Sequence, residues 1–153
     1  MYFVTNIEKD TLANEYYRKV IWTTEYKGMQ LVLMSIPIGQ DIELEIHKEA
    51  DQFIRIEKGE GELHIGKHEE VSVPIKDGSA LIMERNTYHR IINVGSIPLK
   101  LYTVYTPAQH SKNKVERFRP PSESKKENEE AKNRKDRKIK RNNKKALHLL
   151  YLF

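Results

Sequence analysis

Nine short apolar runs follow one another between Val20 and Thr106, and none is long enough for a helix of several turns. They are Val20–Thr23, Met29–Pro37, Ile42–His47, Phe53–Glu57, Glu62–Ile65, Val71–Ile75, Ala80–Met83, His89–Val94 and Leu99–Thr106. Turn residues part them: Lys27-Gly28, Ile38-Gly39, Gly59-Glu60-Gly61, Gly66-Lys67, Lys76-Asp77-Gly78 and Gly95-Ser96. Evenly spaced segments rich in Ile, Val and Tyr predict an all-β, antiparallel chain, either two-sheeted or closed into a barrel. With no helix between the runs, parallel βαβ topology is not expected. Ahead of them, Leu12, Tyr16 and Val20 stand four apart in a polar stretch, which suits a short helix or an irregular N-terminal arm over residues 1–20.

The chain has 153 residues, enough for one ordinary domain. It contains no cysteine, which excludes disulfides, zinc–thiolate sites and iron–sulfur clusters and suits a reducing, cytoplasmic setting. The N-terminus lacks a basic start followed by an apolar run, so no secretory signal is expected, and no apolar stretch approaches the roughly 20 residues of a membrane helix. The net charge of +5 is unevenly placed. Residues 1–111 hold 12 Lys+Arg against 16 Asp+Glu, net −4, while residues 112–153 hold 15 against 6, net +9. The basic character therefore belongs to the tail and gives no support to a nucleic-acid-binding fold. The tail, residues 111–153, is rich in Lys, Arg, Glu and Asn, and is expected to be largely disordered or a fluctuating charged helix. Its block Lys132–Arg141 is a candidate contact for RNA, with a solvated extension the favoured reading, and its end, Ala146–Phe153, is apolar. No glycine-rich phosphate loop or serine-nucleophile pattern is present.

Two stretches carry chemistry. In the first, Glu45 and His47 lie two apart on a strand, so they share a face and can grip one ion together. Periodicity alone suggests another arrangement, with Ile42, Leu44 and Ile46 facing the core and Asp41, Glu43, Glu45 and His47 facing water. In the second stretch, His89 opens a strand after the polar turn Glu84-Arg85-Asn86-Thr87-Tyr88.

The first stretch resembles cupin motif one: Gly39, five residues, Glu45, Ile46, His47, four residues, Gln52, six residues, Gly59. The second resembles cupin motif two: Gly78, five residues, Glu84, Arg85, Asn86, two residues, His89, three residues, Asn93. The spacing fits throughout. Four positions depart, with Glu45 for the first histidine, Gln52 for the glutamate, Glu84 for the proline and Asn86 for the glycine. The wording Glu-Ile-His followed by Asp-Gln-Phe is similar to small one-domain cupins labelled as resembling mannose-6-phosphate isomerases.

The resemblance, spanning roughly Asn14 to Pro107, implies a cupin double-stranded β-helix, or jelly-roll barrel, over residues 21–110 with Glu45 and His47 pointing inward. It implies a divalent metal ion (Mn, Fe, Zn or Ni) held by Glu45, His47, Gln52 and His89, with Gln52 the weakest ligand. Two imidazoles and one carboxylate suit such metals and leave positions open. The implied activity is isomerase-like, on a sugar or sugar phosphate, with Glu45 and His89 as the catalytic candidates for moving a proton. An iron dioxygenase and a non-enzymatic small-ligand binder are the alternatives, and a homodimer is the implied assembly. Arg18, Arg55, Arg85 and Arg90 are candidates for anion recognition, each more simply explained by pairing with nearby acids. Tyr88, Tyr102 and Tyr105 are expected to pack in the barrel. His64, His68, His110 and His148 are expected at the surface, with His110 near the rim as a minor site candidate.

Overall fold

The computed structural model describes residues 1–122 and 129–141. It divides into two units, Met1–Arg119 and Pro120–Phe153. The first unit holds a short helix, α1 (Ile7–Ala13), and ten strands: β1 (Arg18–Thr23), β2 (Gln30–Ile36), β3 (Asp41–Glu45), β4 (Asp51–Lys58), β5 (Glu60–Ile65), β6 (Val71–Lys76), β7 (Ala80–Met83), β8 (His89–Asn93), β9 (Leu99–Thr106) and β10 (Val115–Glu116). All nine apolar runs contribute strands. They form a six-stranded sheet, β10-β1-β2-β9-β4-β7, and a four-stranded sheet, β3-β8-β5-β6. Every pairing is antiparallel. This is the jelly-roll architecture the sequence predicts.

Two boundaries differ from the sequence reading. α1 starts at Ile7, five residues before Leu12, the first of the spaced set Leu12, Tyr16 and Val20, because Asn6 caps it by accepting from the Lys9 amide. Arg18 and Lys19 already belong to the sheet rather than to an arm. At the other end, Arg18 and Lys19 pair with Glu116 and Val115, so strand structure runs past residue 110. Pairing uses backbone groups, and a charged composition does not forbid it. In the second unit, residues 129–141 form a helix, α2, exposed throughout. The block 132–141 lies on it, and the apolar end 146–153 falls outside the described residues.

The inward residues change character along each strand. On β9 they run Leu99, Leu101, Thr103, Tyr105, and on β2 they run Ile36, Met34, Val32, Gln30 in the opposite direction. The antiparallel register sets Ile36 beside Leu99, Met34 beside Leu101, Val32 beside Thr103 and Gln30 beside Tyr105. On β4 the order is Ile56, Ile54, Gln52, with Gln52 beside Tyr105. One end of the interior is therefore aliphatic. Each fully buried Leu, Ile or Met there contributes about 1.5–3 kcal/mol of apolar burial. The opposite end is polar.

Close backbone packing explains one glycine. A Cβ on Gly61 would stand 2.7 Å from the Ile92 carbonyl oxygen, so only glycine lets β5 lie against β8 there.

Candidate metal centre at the polar end of the barrel

Glu45 reaches the interior through a bulge. Ile42 pairs with Ile91, but the next pair is Glu45 with His89, so three steps on β3 match two on β8. The extra residue shifts the phase of β3. Strict alternation from Ile42 would turn Leu44 inward and Glu45 to solvent. With the bulge, Ile42 faces the core and Glu45 faces it too. The two sequence arrangements, apolar residues inward or charged residues inward, each hold for part of one strand. Both Glu45 and His47 line the interior, as the resemblance implies.

His47 follows the end of β3 and is held by the second motif. The Asn86 amide donates to the His47 carbonyl at 2.7 Å. Asn86 itself has φ +66°, a left-handed conformation that asparagine tolerates better than most residues. The Asn-for-Gly departure thus keeps the turn. The same turn is tied to the first motif again, since Asp51 accepts from the Arg85 amide at 2.9 Å and from its guanidinium at 3.0 and 3.2 Å.

The donor atoms of Glu45, His47 and His89 all lie within 4.8 Å of one another. Glu45 Oε1 is 3.2 Å from His47 Nε2 and 3.4 Å from His89 Nε2. Two ligand atoms at right angles around one ion, each about 2.1 Å from it, stand about 3 Å apart. The spacing allows the three to share one cation.

His89 is almost wholly buried, and its Nδ1 donates to the Thr87 carbonyl at 2.9 Å. That contact fixes the tautomer, so Nε2 of the neutral ring carries a lone pair. This lone pair faces a carboxylate, and Nε2 has no hydrogen-bond partner. Two electron-rich atoms do not stay together in a buried site without positive charge between them, supplied by a proton or a metal ion. Burial pushes the His89 pKa down, but the Glu45 carboxylate and the Thr87 carbonyl raise it further, for a net upward shift. Burial likewise raises Glu45, yet the His47 and His89 rings beside its carboxylate bring it to about 2, so it is ionised throughout the neutral range.

Gln52 is also buried and inward. Its amide nitrogen donates to Thr103 Oγ1 at 3.0 Å, and its Oε1 has no partner. It neighbours Tyr105 in register, and the Tyr105 ring meets that of His47 edge-on at 5.2 Å.

Tyr105 and His110 also stand at this end, the first read from the sequence as barrel packing and the second as a surface residue with a minor claim on the site. Tyr105 packs in the barrel, fully buried, and burial pushes its hydroxyl well above the ordinary range. His110 is not a surface residue: its ring packs edge-on against Tyr105 at 5.2 Å and its Nε2 is buried without a partner. Burial, with Arg18 and Lys114 nearby, lowers its pKa to about 4. Gln30 fixes it, accepting from the His110 amide and donating to its carbonyl. Inward parity on β9, counted from Leu99, would have flagged Tyr105. The His110 placement depends on a loop contact that no local pattern announces.

Of the arginines, Arg18 pairs with Glu116, Arg55 with Glu57, Arg85 with Asp51, and Arg90 with Asp41 and Glu69. Tyr102 lies on the outer face against Phe53. His64 is clasped on the outer face between Glu62 and Glu69.

Residues 32–105 match the family model described as "Cupin domain". An uncharacterised protein of Acanthamoeba polyphaga mimivirus is 41% identical over 121 residues, covering 78% of this chain and 74% of its own length. The uncharacterised protein YrkC of Bacillus subtilis is 44% identical over 111 residues, covering 71% of this chain. The match spans only 59% of YrkC. The crystal structure of BH2720 from Bacillus halodurans is 38% identical, with a TM-score of 0.73, and the match covers 76% of this chain and 89% of that one. The chain belongs to the cupin family. Among the described residues no helix is long and apolar enough to cross a membrane.

Proposed function

We propose that this protein is a metal-binding cupin in which Glu45, His47 and His89 hold one divalent cation, with the Gln52 carboxamide oxygen as a fourth ligand or as the partner of a bound water. The carrying observation is the convergence of Glu45, His47 and His89 donor atoms within 4.8 Å, with the buried Nε2 of His89 3.4 Å from the Glu45 carboxylate. Gln52 Oε1 supports the reading, because a buried amide oxygen without a donor is costly and a cation or its water satisfies it. The donor set of two imidazoles, one carboxylate and one amide is hard to intermediate in character, which suits Mn, Fe, Zn or Ni.

Such an ion would supply Lewis-acid polarisation of a substrate oxygen. The chain's own part is to orient the ligands: Thr87 through His89 Nδ1, Asn86 through the His47 backbone, and Tyr105 against the His47 ring. The substrate we assign is a small polar molecule, a sugar or sugar phosphate, with isomerisation as the reaction. The assembly we assign is a homodimer. An apolar row crosses the outer face of the large sheet in register, Leu31 beside Val104 beside Phe53 beside Ile82, with Trp22 adjoining Leu31. A second copy would cover this row.

The test is elemental analysis of purified protein beside its His47→Ala and His89→Ala variants, followed by an aldose–ketose assay with mannose 6-phosphate. About one divalent ion per chain in the wild type, lost in both variants, is expected. A full complement of metal in folded His89→Ala contradicts the site. Metal binding without turnover contradicts the isomerase assignment alone.

A further inference from the structure

Four buried polar atoms at the polar end lack partners: His89 Nε2, Gln52 Oε1, Arg18 Nε and His110 Nε2. Native proteins rarely leave such atoms unpaired, so each needs an explanation. The cation accounts for the first two. It cannot account for Arg18, whose guanidinium carries only donors and a permanent positive charge.

Arg18 shares the inner face of β1 with Val20 and is itself 8% exposed. It spans the inside of the barrel wall, with its guanidinium over the Tyr17 ring at 5.4 Å and within electrostatic reach of Glu45 and Tyr105. One terminal nitrogen pairs with Glu116. That carboxylate is shared, since Lys114 Nζ lies 3.3 Å from its other oxygen. Two cations therefore share the Glu116 carboxylate. Tyr17 presents its ring to the guanidinium, while its hydroxyl donates to the Asp41 carbonyl at 2.9 Å. Arg18 Nε thus remains a buried, charged donor with nothing to donate to. His110 stands close enough for Arg18 to influence its charge state. A cleft of about 580 Å³ reaches His110 from outside, and Lys27 and Lys112 outnumber Glu25 along it.

We propose that Arg18, with His110 beside it, forms an oxyanion subsite next to the cation site, so that the natural ligand is a small molecule bearing a carboxylate or phosphate. The inference rests on the metal-site reading for the neighbouring group but not for the anion contact itself. A charge-assisted bond from Nε to an anionic oxygen satisfies the orphaned donor. The cation takes a second oxygen of the same molecule. A neutral polyol offers the second contact without the first and binds poorly.

Calorimetric titration of succinate, inorganic phosphate and erythritol into metal-free and nickel-loaded protein tests this, using wild type, Arg18→Met and Arg18→Lys. Nickel affinity is measured separately for each. Succinate or phosphate should bind the wild type at least tenfold more tightly than erythritol, and whichever binds better names the anion. Arg18→Met should lose tenfold or more of that affinity with nickel binding unchanged. Arg18→Lys keeps a cation for Glu116 but has no Nε, so a folded Arg18→Lys protein with the same loss supports the proposal even if Arg18→Met does not fold. Equal anion affinity in folded Arg18→Lys and wild type overturns it, as does failure of both anions to bind the wild type. Failure of nickel to bind wild type counts against the metal site instead, and the metal-free titrations then decide the anion contact.

Discussion

At the scale of single residues, Asn86 and His110 show how much one position carries. Asn86 occupies a left-handed turn and fastens the His47 backbone. Asn86→Gly should leave stability within about 0.5 kcal/mol, whereas Asn86→Val should cost about 1–3 kcal/mol by forcing a β-branched residue to positive φ. Urea unfolding of the two variants measures the difference. His110 makes the acid limb of stability steep. Its folded pKa of about 4 lies below its ordinary 6.5, so the unfolded chain takes up a proton that the folded chain refuses. Stability from this residue is complete above pH 6.5 and falls as pH drops toward 4. Replacing it by Phe should flatten that decline by on the order of 2 kcal/mol, read from unfolding midpoints across the interval. Had the sequence been asked for these residues, Glu45, His47 and His89 were legible because motif spacing names them. Arg18 and His110 were legible only as minor candidates and Tyr105 only as barrel packing, since their placement beside the site depends on strand parity and loop contacts between segments far apart in the chain.

At the scale of elements, the bulge in β3 is the decisive device. Alternation from Ile42 would point Glu45 to solvent, and only the extra residue opposite β8 brings it in beside His89. A bulge inserts no special residue type here, so periodicity could not announce it. Strand existence was legible all along β1 to β9, because short apolar runs between glycine turns have few other outcomes. The limits of α1 and the pairing of β10 were not. The first depends on one capping side chain, and the second on a two-residue backbone contact in a charged stretch. Tight pairing has its own sensitive point. Gly61→Ala would drive a methyl to 2.7 Å from the Ile92 carbonyl oxygen, so β5 must move off β8. A loss of about 2–3 kcal/mol is expected, with the metal ligands untouched, and thermal unfolding reads it.

At the scale of the whole molecule, the interior is graded. Aliphatic layers close one end and stabilise the fold, while Glu45, His47, Gln52, His89, Tyr105 and Arg18 collect at the other. That separation lets a site of unpaired polar atoms exist without weakening the core, whose apolar packing lies elsewhere. The outer face of the large sheet carries the apolar row that ends at Ile82, which is 72% exposed. Ile82→Asp should convert a dimer to monomer in sedimentation velocity with unfolding unchanged, since the side chain touches little within one copy. The most direct test of the whole account is an anomalous difference map from crystals of the manganese-loaded protein. A single strong peak is predicted among Glu45 Oε1, His47 Nε2 and His89 Nε2, about 2.0–2.3 Å from each. A map with no peak there, or with its strongest peak at other side chains, would contradict it.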